Sequence, residues 1–136
     1  MPIDHKDIAK LNTIIKEINI KPESEPFRYP VDYKALGLDD YPLIISKMMD
    51  LSTVSRNLQN NSYLTKEECL DDLQLIWDNC KLYNVETSKI HKLALKLESL
   101  VQKLVEENFG ELEYGKNNPS YFALQEKAKP RGSCNM

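Results

Sequence analysis

Few side chains in this sequence have the spacing that catalysis needs. Ser88 and His91 are three apart and can face one another on a helix, as a nucleophile and its base would. No acid accompanies them to orient the imidazole, and no nucleophile elbow surrounds the serine. Ser88 reads instead as a helix cap. Cys69 and Cys80 fall on nearly the same helix face, but the helical rise sets them roughly 16 Å apart, too far to share a metal. His5 and His91 lack the HxxxH, HExxH or CxxC context that supplies further ligands, so no metal is expected and His91 reads as a core residue. The pairs Asp39-Asp40 and Asp71-Asp72 are sequence neighbours, which diverge by about 100° on a helix and cannot form a shared-proton dyad. They read as solvated charge or caps, except Asp40, which precedes an aromatic inside a long loop and reads as structural. No catalytic residue and no cofactor are therefore expected, and the chain does not read as an enzyme.

The elements that carry these residues are helical. From Asp4, Ile8, Leu11, Ile15 and Ile18 recur at spacings of three and four, which predicts a helix over about 4–20. Pro22, Pro26, Pro30, Pro42 and Gly37 then exclude continuous helix and disfavour strand pairing, leaving a loop over about 21–49. A loop of that length inside a domain, rich in aromatic and branched residues, points to function. Asp50 caps a helix over about 50–60 with Leu51, Val54 and Leu58 on one face, closed by Asn60-Asn61-Ser62. Thr65-Lys66-Glu67-Glu68 is a capping box opening a third helix over about 65–83, with Cys69, Leu73, Ile76, Cys80 and Tyr83 as its stripe and Leu70 and Trp77 widening it. After a short loop at 84–87, Ile90, Leu93, Leu97, Leu100 and Leu104 mark a fourth helix over about 88–109, ending before Gly110. Four amphipathic helices without alternating strands predict an all-α four-helix bundle over 1–110. Residues 111–136 read as a C-terminal tail with one apolar cluster, Tyr121-Phe122-Ala123-Leu124.

Bulk properties agree with one folded domain. The chain has 136 residues, 41% hydrophobic and 29% charged, with 4 Gly and 7 Pro, enough to bury a core without disulfides or metals. A net charge of −3 gives mild attraction for basic partners and none of the clustered Lys/Arg face that nucleic-acid binders carry. The three cysteines Cys69, Cys80 and Cys134 form an odd set without CxxC spacing, which suits free thiols in a reducing compartment. No run approaches a membrane span, and Met1-Pro2-Ile3-Asp4 does not begin a signal peptide. The expectation is an intracellular protein without membrane or direct nucleic-acid partners.

The loop and third helix share a more specific pattern: Pro26-Phe27, Pro30-Val31-Asp32, Leu36-x-Leu38, Asp40-Tyr41, Met49-Asp50-Leu51-Ser52-Thr53-Val54 and Asn79-Cys80-x-x-Tyr83-Asn84. In that order and spacing they resemble the bromodomain family, from about Pro26 to Phe109. The resemblance implies a left-handed bundle of helices Z, A, B and C, whose long ZA loop and short BC loop enclose an acetyl-lysine pocket. It further implies that Asn84 donates to the acetyl carbonyl and that Tyr41 reaches the same carbonyl through an ordered water. Pro26, Phe27, Val31, Leu36 and Leu38 resemble the loop wall, Tyr83 the aromatic floor, and Ile90 the gatekeeper of helix C. Two positions depart from the pattern. Met48 stands where many members have the proline of Pro-Met-Asp, which implies a less rigid loop, and Glu25 stands where one subgroup has tryptophan, which implies a more polar rim.

These residue types suit the ligand. Acetylation turns a hydrated ammonium into a neutral amide with a methyl and a carbonyl acceptor. Asn84 offers a donor without charge, and unmodified lysine would have to shed its water against Val31, Leu36, Leu38 and Ile90. Burial contributes roughly 0.8 kcal/mol per carbon, so single-site binding is expected to be weak and to gain from avidity. Taken singly, the same apolar residues read as core and Asn84 as a helix C-cap or loop residue. The resemblance implies a monomeric, nuclear module of a larger chromatin-associated protein that reads acetylated histone tails or other acetylated nuclear proteins, with Glu25, Arg28, Tyr29 and Glu86 at the rim. The alternative is a four-helix protein-interaction module with a degenerate pocket.

Overall fold

The computed structural model describes residues 3–128. Met1, Pro2 and the end of the expected tail, with Cys134, lie outside the described residues. Those described form helices and loops without a strand: α1 (His5–Asn19), a 3-10 turn (Pro22–Phe27), α2 (Tyr41–Ile44), α3 (Leu51–Gln59), α4 (Lys66–Tyr83), α5 (Lys89–Phe109) and α6 (Pro119–Ala128). Each long helix starts on a capping side chain, at Asp50, Thr65 and Ser88 as the sequence places it and at Asp4, where no cap was expected. Asp4 accepts from the Lys6 N–H, Asp50 from Thr53, Thr65 from Glu68 and Ser88 from His91. These side chains satisfy backbone donors that the first turn leaves orphaned. Glu68 reaches back one residue beyond the reciprocal capping-box bond, accepting from the Leu64 N–H at 2.7 Å.

Around the bundle the neighbours run α1, α3, α4, α5, with α1 and α4 also touching across the middle. The stripe of α1 gains Ile14, fully buried beside Leu11, Ile15 and Ile18. On α5 the buried face is His91, Ala94, Leu97, Val101, Leu104 and Val105, while Ile90, Leu93 and Leu100 sit half-buried at its edge. The stripe is turned from the expected one because α5 is packed by α1, α4 and the 3-10 turn from different sides. Trp77, wholly buried on α4, takes the ring of Phe27 edge-on at 5.3 Å and so locks the start of the long loop onto the core.

The long loop is ordered by its own hydrogen bonds. The Arg28 guanidinium donates to the Ser24 hydroxyl and the Lys21 carbonyl, and the Arg28 carbonyl accepts from the Ser52 N–H of α3. Its far end is fixed by Lys47, whose ammonium pairs with Asp72 at 3.0 Å, while Asp72 also accepts from the Tyr63 hydroxyl at 2.7 Å. Asp72 is therefore a buried structural anion, not solvated charge as its sequence context suggests. Asp71 too is engaged, accepting from the Gly115 N–H.

The segment after Phe109 does more than the tail expected there. Gly110 ends α5 at positive φ, and the chain turns back so that α6 lies along α4. Gly115 makes the return possible: its φ is 82°, and a Cβ there would meet the Gln74 side chain at 2.7 Å. The Asn118 amide donates to the Asp71 carbonyl at 2.8 Å, and the Ser120 hydroxyl donates to Asn79 Oδ1. These bonds need polar residues on the outer face of α4, which its apolar stripe does not reveal.

Candidate functional site

α4 ends at Asn84, which leaves the helix with extended backbone. The last carbonyls of a helix lack intrahelical partners, and here Asn84 supplies one twice. Its backbone N–H and its side-chain Nδ2 both donate to the Cys80 carbonyl, at 3.0 and 3.1 Å. The side-chain amide is thereby fixed against the end of the helix, with the Cys80 sulfur 3.6 Å from Nδ2. Asn84 is thus a C-cap and remains half-exposed toward the loops.

Cys80 is the centre on which the other residues converge. Its thiol donates to the Ile90 carbonyl at 3.5 Å, which ties α5 to α4 beside Asn84. Burial pushes the thiol up to about 11, opposed by the Asn84 amide and Lys81. The Tyr41 hydroxyl lies close enough to feel both Cys80 and Tyr83, and burial first, then those neighbours, push it up to about 12. Both groups stay neutral at ordinary pH. The Tyr41 ring meets Tyr83 edge-on at 4.8 Å and is stacked by Tyr33 at 6.1 Å. The Tyr83 hydroxyl donates to Asp40 Oδ1 at 2.6 Å, and that bond holds its pKa above the usual phenol value. Asp40 is structural, as its place before Tyr41 suggests.

The structure joins Tyr41, Tyr83, Asn84 and Ile90 at one end of the bundle, around Cys80. Leu38 borders them through the backbone, since its carbonyl accepts from the Tyr41 N–H and so opens α2. Val31 is half-buried, Leu36 is 64% exposed and Pro26 is exposed in the 3-10 turn. Phe27 is buried, its ring edge-on to Trp77 in the core cluster that also holds Cys80. Of the rim residues, Arg28 is engaged inside the loop, while Glu25, Tyr29 and Glu86 are exposed. Sequence reasoning did not single out Cys80, Tyr33 or Asn79 for the site. Cys80 and Asn79 fall within the motif that precedes Asn84, whereas Tyr33 carries no periodic signal. A cavity of about 1080 Å³ lies between α4, α5 and α6; Glu86 of the expected rim borders it, but Asn84, Tyr41 and Tyr83 do not.

The sequence model of the Bromodomain family matches residues 11–96, from within α1 to the first turns of α5, with both loops between. The chain belongs to the bromodomain family. Among its relatives is Protein cbp-1 of Caenorhabditis elegans, 38% identical over 96 residues, or 70% of this chain and 5% of that protein. Bromodomains are left-handed four-helix bundles that generally read acetylated lysine, and they are not typically catalytic. In bromodomain terms α1, α3, α4 and α5 are helices Z, A, B and C, residues 20–50 are the ZA loop and residues 84–88 the BC loop.

Proposed function

We propose that this bromodomain binds acetylated lysine at the loop end of the bundle, with Asn84 as the donor to the acetyl carbonyl. The observation that carries the reading is the meeting of Asn84 and Ile90 on Cys80, with the Tyr41 ring against Tyr83 at the same end of α4. An amide nitrogen has two hydrogens. One is used on the Cys80 carbonyl; the other has only a thiol nearby, a weak acceptor readily exchanged for a ligand oxygen. Tyr41 can reach the same oxygen through a water, because its hydroxyl makes no hydrogen bond to another described group. Val31, Leu36, Leu38 and Ile90 offer apolar surface to the lysine stem and methyl, Tyr83 an aromatic floor, and Pro26 and Phe27 brace the loop. No cationic side chain is needed, which fits a neutral ligand and disfavours an ammonium.

The partner class is an acetylated basic peptide, such as a histone tail or another acetylated nuclear protein. Asp39, Asp40, Glu25 and Glu86 lie exposed at the loops, and the net charge of −3 favours a cationic chain around the neutralised lysine. The module would act as a nuclear, monomeric reader within a larger chromatin-associated protein. Titration of acetylated against unmodified peptides by calorimetry tests this. The acetylated form should bind at least about tenfold tighter, and Asn84→Ala should abolish the difference. Equal affinity for the two forms rejects the reading. A folded wild type that binds no acetylated peptide would leave the protein-interaction module with a degenerate pocket.

A further inference from the structure

α6 packs chiefly on α4, and one buried side chain of α4 joins it to the ZA loop. Asn79 is 3% exposed on α4. Its Nδ2 donates to the Lys47 carbonyl at 2.8 Å, and its Oδ1 accepts from the Ser120 hydroxyl in the first turn of α6. Ser120 is itself 2% exposed, so this bond is shielded from water. The Lys47 carbonyl can only accept, which fixes Nδ2 on its side and leaves Oδ1 to the Ser120 hydroxyl, so the two bonds together hold the amide.

Lys47 is where the loop needs holding. It precedes Met48, which has no ring to fix its φ, and it follows the buried Ile45, whose N–H donates to the Tyr41 carbonyl at 2.8 Å. The Asn79–Lys47 bond thus lies between α6 and the one turn of helix that carries Tyr41. On the other side, Asn79 directly precedes Cys80, the residue that orients Asn84. α6 has its own anchors at Asp71, through the Gly115 N–H and the Asn118 amide, so it docks without needing the loop.

We propose that α6 is a positioning element for the acetyl-lysine pocket, acting through Ser120 and Asn79 to hold the Lys47–Met48 backbone and, through it, Tyr41. The affinity part of this inference rests on the acetyl-lysine reading above; the loop-ordering part does not. Ser120→Ala removes the donor while leaving the Asp71 anchors in place, and Phe122→Ala, at an exposed α6 position, serves as control. Hydrogen exchange of the 41–49 amides reads the loop, and acetylated-peptide titration reads the pocket. Ser120→Ala should speed exchange in that segment and weaken acetylated-peptide binding by about threefold or more, in the range of transmitted couplings. The unpaired Asn79 Oδ1 lowers global stability, so exchange over 41–49 should rise by more than exchange within α1 and α5, and Phe122→Ala should change neither readout. Unchanged exchange over 41–49 in Ser120→Ala overturns the proposal. If the wild type binds no acetylated peptide, the acetyl-lysine reading fails while the exchange result still decides the coupling. Faster exchange with unchanged affinity overturns the claim on the pocket. Should Ser120→Ala fold poorly, Ser120→Cys in the full chain, which keeps most of the volume and only a weak donor, gives the same comparison.

Discussion

The Tyr83 hydroxyl donates to Asp40 Oδ1 at 2.6 Å, joining the last turn of α4 to the residue before Tyr41 across 43 positions of sequence. Ring contact between Tyr41 and Tyr83 accompanies it. Tyr83→Phe keeps the contact and removes the tie. Amides around 38–42 should exchange faster, and acetylated-peptide affinity should fall by about two- to fivefold, the range of one lost partly exposed hydrogen bond. Asp40→Ala should match it, whereas Asp40→Asn, which still accepts, should stay near wild type. Divergence between Tyr83→Phe and Asp40→Ala would show that the bond does not order the loop.

Asn84 serves the helix end and the proposed ligand with the same amide, and the two roles separate in Asn84→Asp. A carboxylate cannot donate to the Cys80 carbonyl or to an acetyl carbonyl, and it places negative charge at a helix C-terminus. Stability should drop by about 0.3–1 kcal/mol from the helix dipole, a modest change in a urea titration. Acetylated-peptide binding should fall below detection. A variant that binds normally would remove Asn84 from the site.

The helices, their caps and the loop were readable because periodicity and capping chemistry are local. Asp4, Asp50, Thr65 and Ser88 each bond within three residues of themselves. What escaped was long-range. Asp72 looks like surface charge until Lys47 and Tyr63 arrive from other elements. α6 looks like tail because its apolar residues are few and its attachment to α4 is polar, through Asp71, Asn79 and Gly115. Motif resemblance grouped Phe27 with the pocket because it neighbours pocket residues in sequence. Its ring packs edge-on against Trp77, a contact that no motif announces.

That placement of Phe27 has a measurable consequence. Phe27→Ala removes an aromatic side chain from the core beside the wholly buried Trp77, so it should cost about 3–5 kcal/mol of stability. Phe27→Leu, which refills part of the volume, should recover a good part of that. In Phe27→Leu the acetylated-peptide affinity should remain within a few-fold of wild type. Large loss of affinity at near-normal stability would place the ring in the pocket.

Asp72 offers a test of the loop anchor. Tyr63→Phe deletes the hydroxyl that donates to the buried carboxylate, leaving Lys47 and its largely exposed ammonium as the chief partner. Leaving part of a buried acceptor unpaired costs about 1–3 kcal/mol. Chemical denaturation of the variant should show that loss with an unchanged m-value, since the same surface is exposed on unfolding. A cost within error of zero would mean that Asp72 is satisfied by water.

Alkaline pH acts on the buried neutral acids. Burial pushes Cys69 up to about 12 and Cys80 to about 11 from 9.0, and Tyr41 and Tyr114 to about 12 from 10.0. Each folded value lies above its unfolded one, so the folded state keeps protons that the unfolded chain releases. Stability is then fully present below about pH 9, where both states are protonated, and declines as pH rises toward the folded values near 11–12. Urea titrations from pH 7 to about 11 should show a fall that begins near pH 9. Cys69 is wholly buried, and Cys69→Ala removes one of the four groups. The variant should be less stable at pH 7, by about 1 kcal/mol for the small cavity. Its decline with pH should nonetheless be shallower, by up to about 1.4 kcal/mol for each tenfold difference in acidity removed. Parallel curves for variant and wild type would show that Cys69 ionises equally in both states.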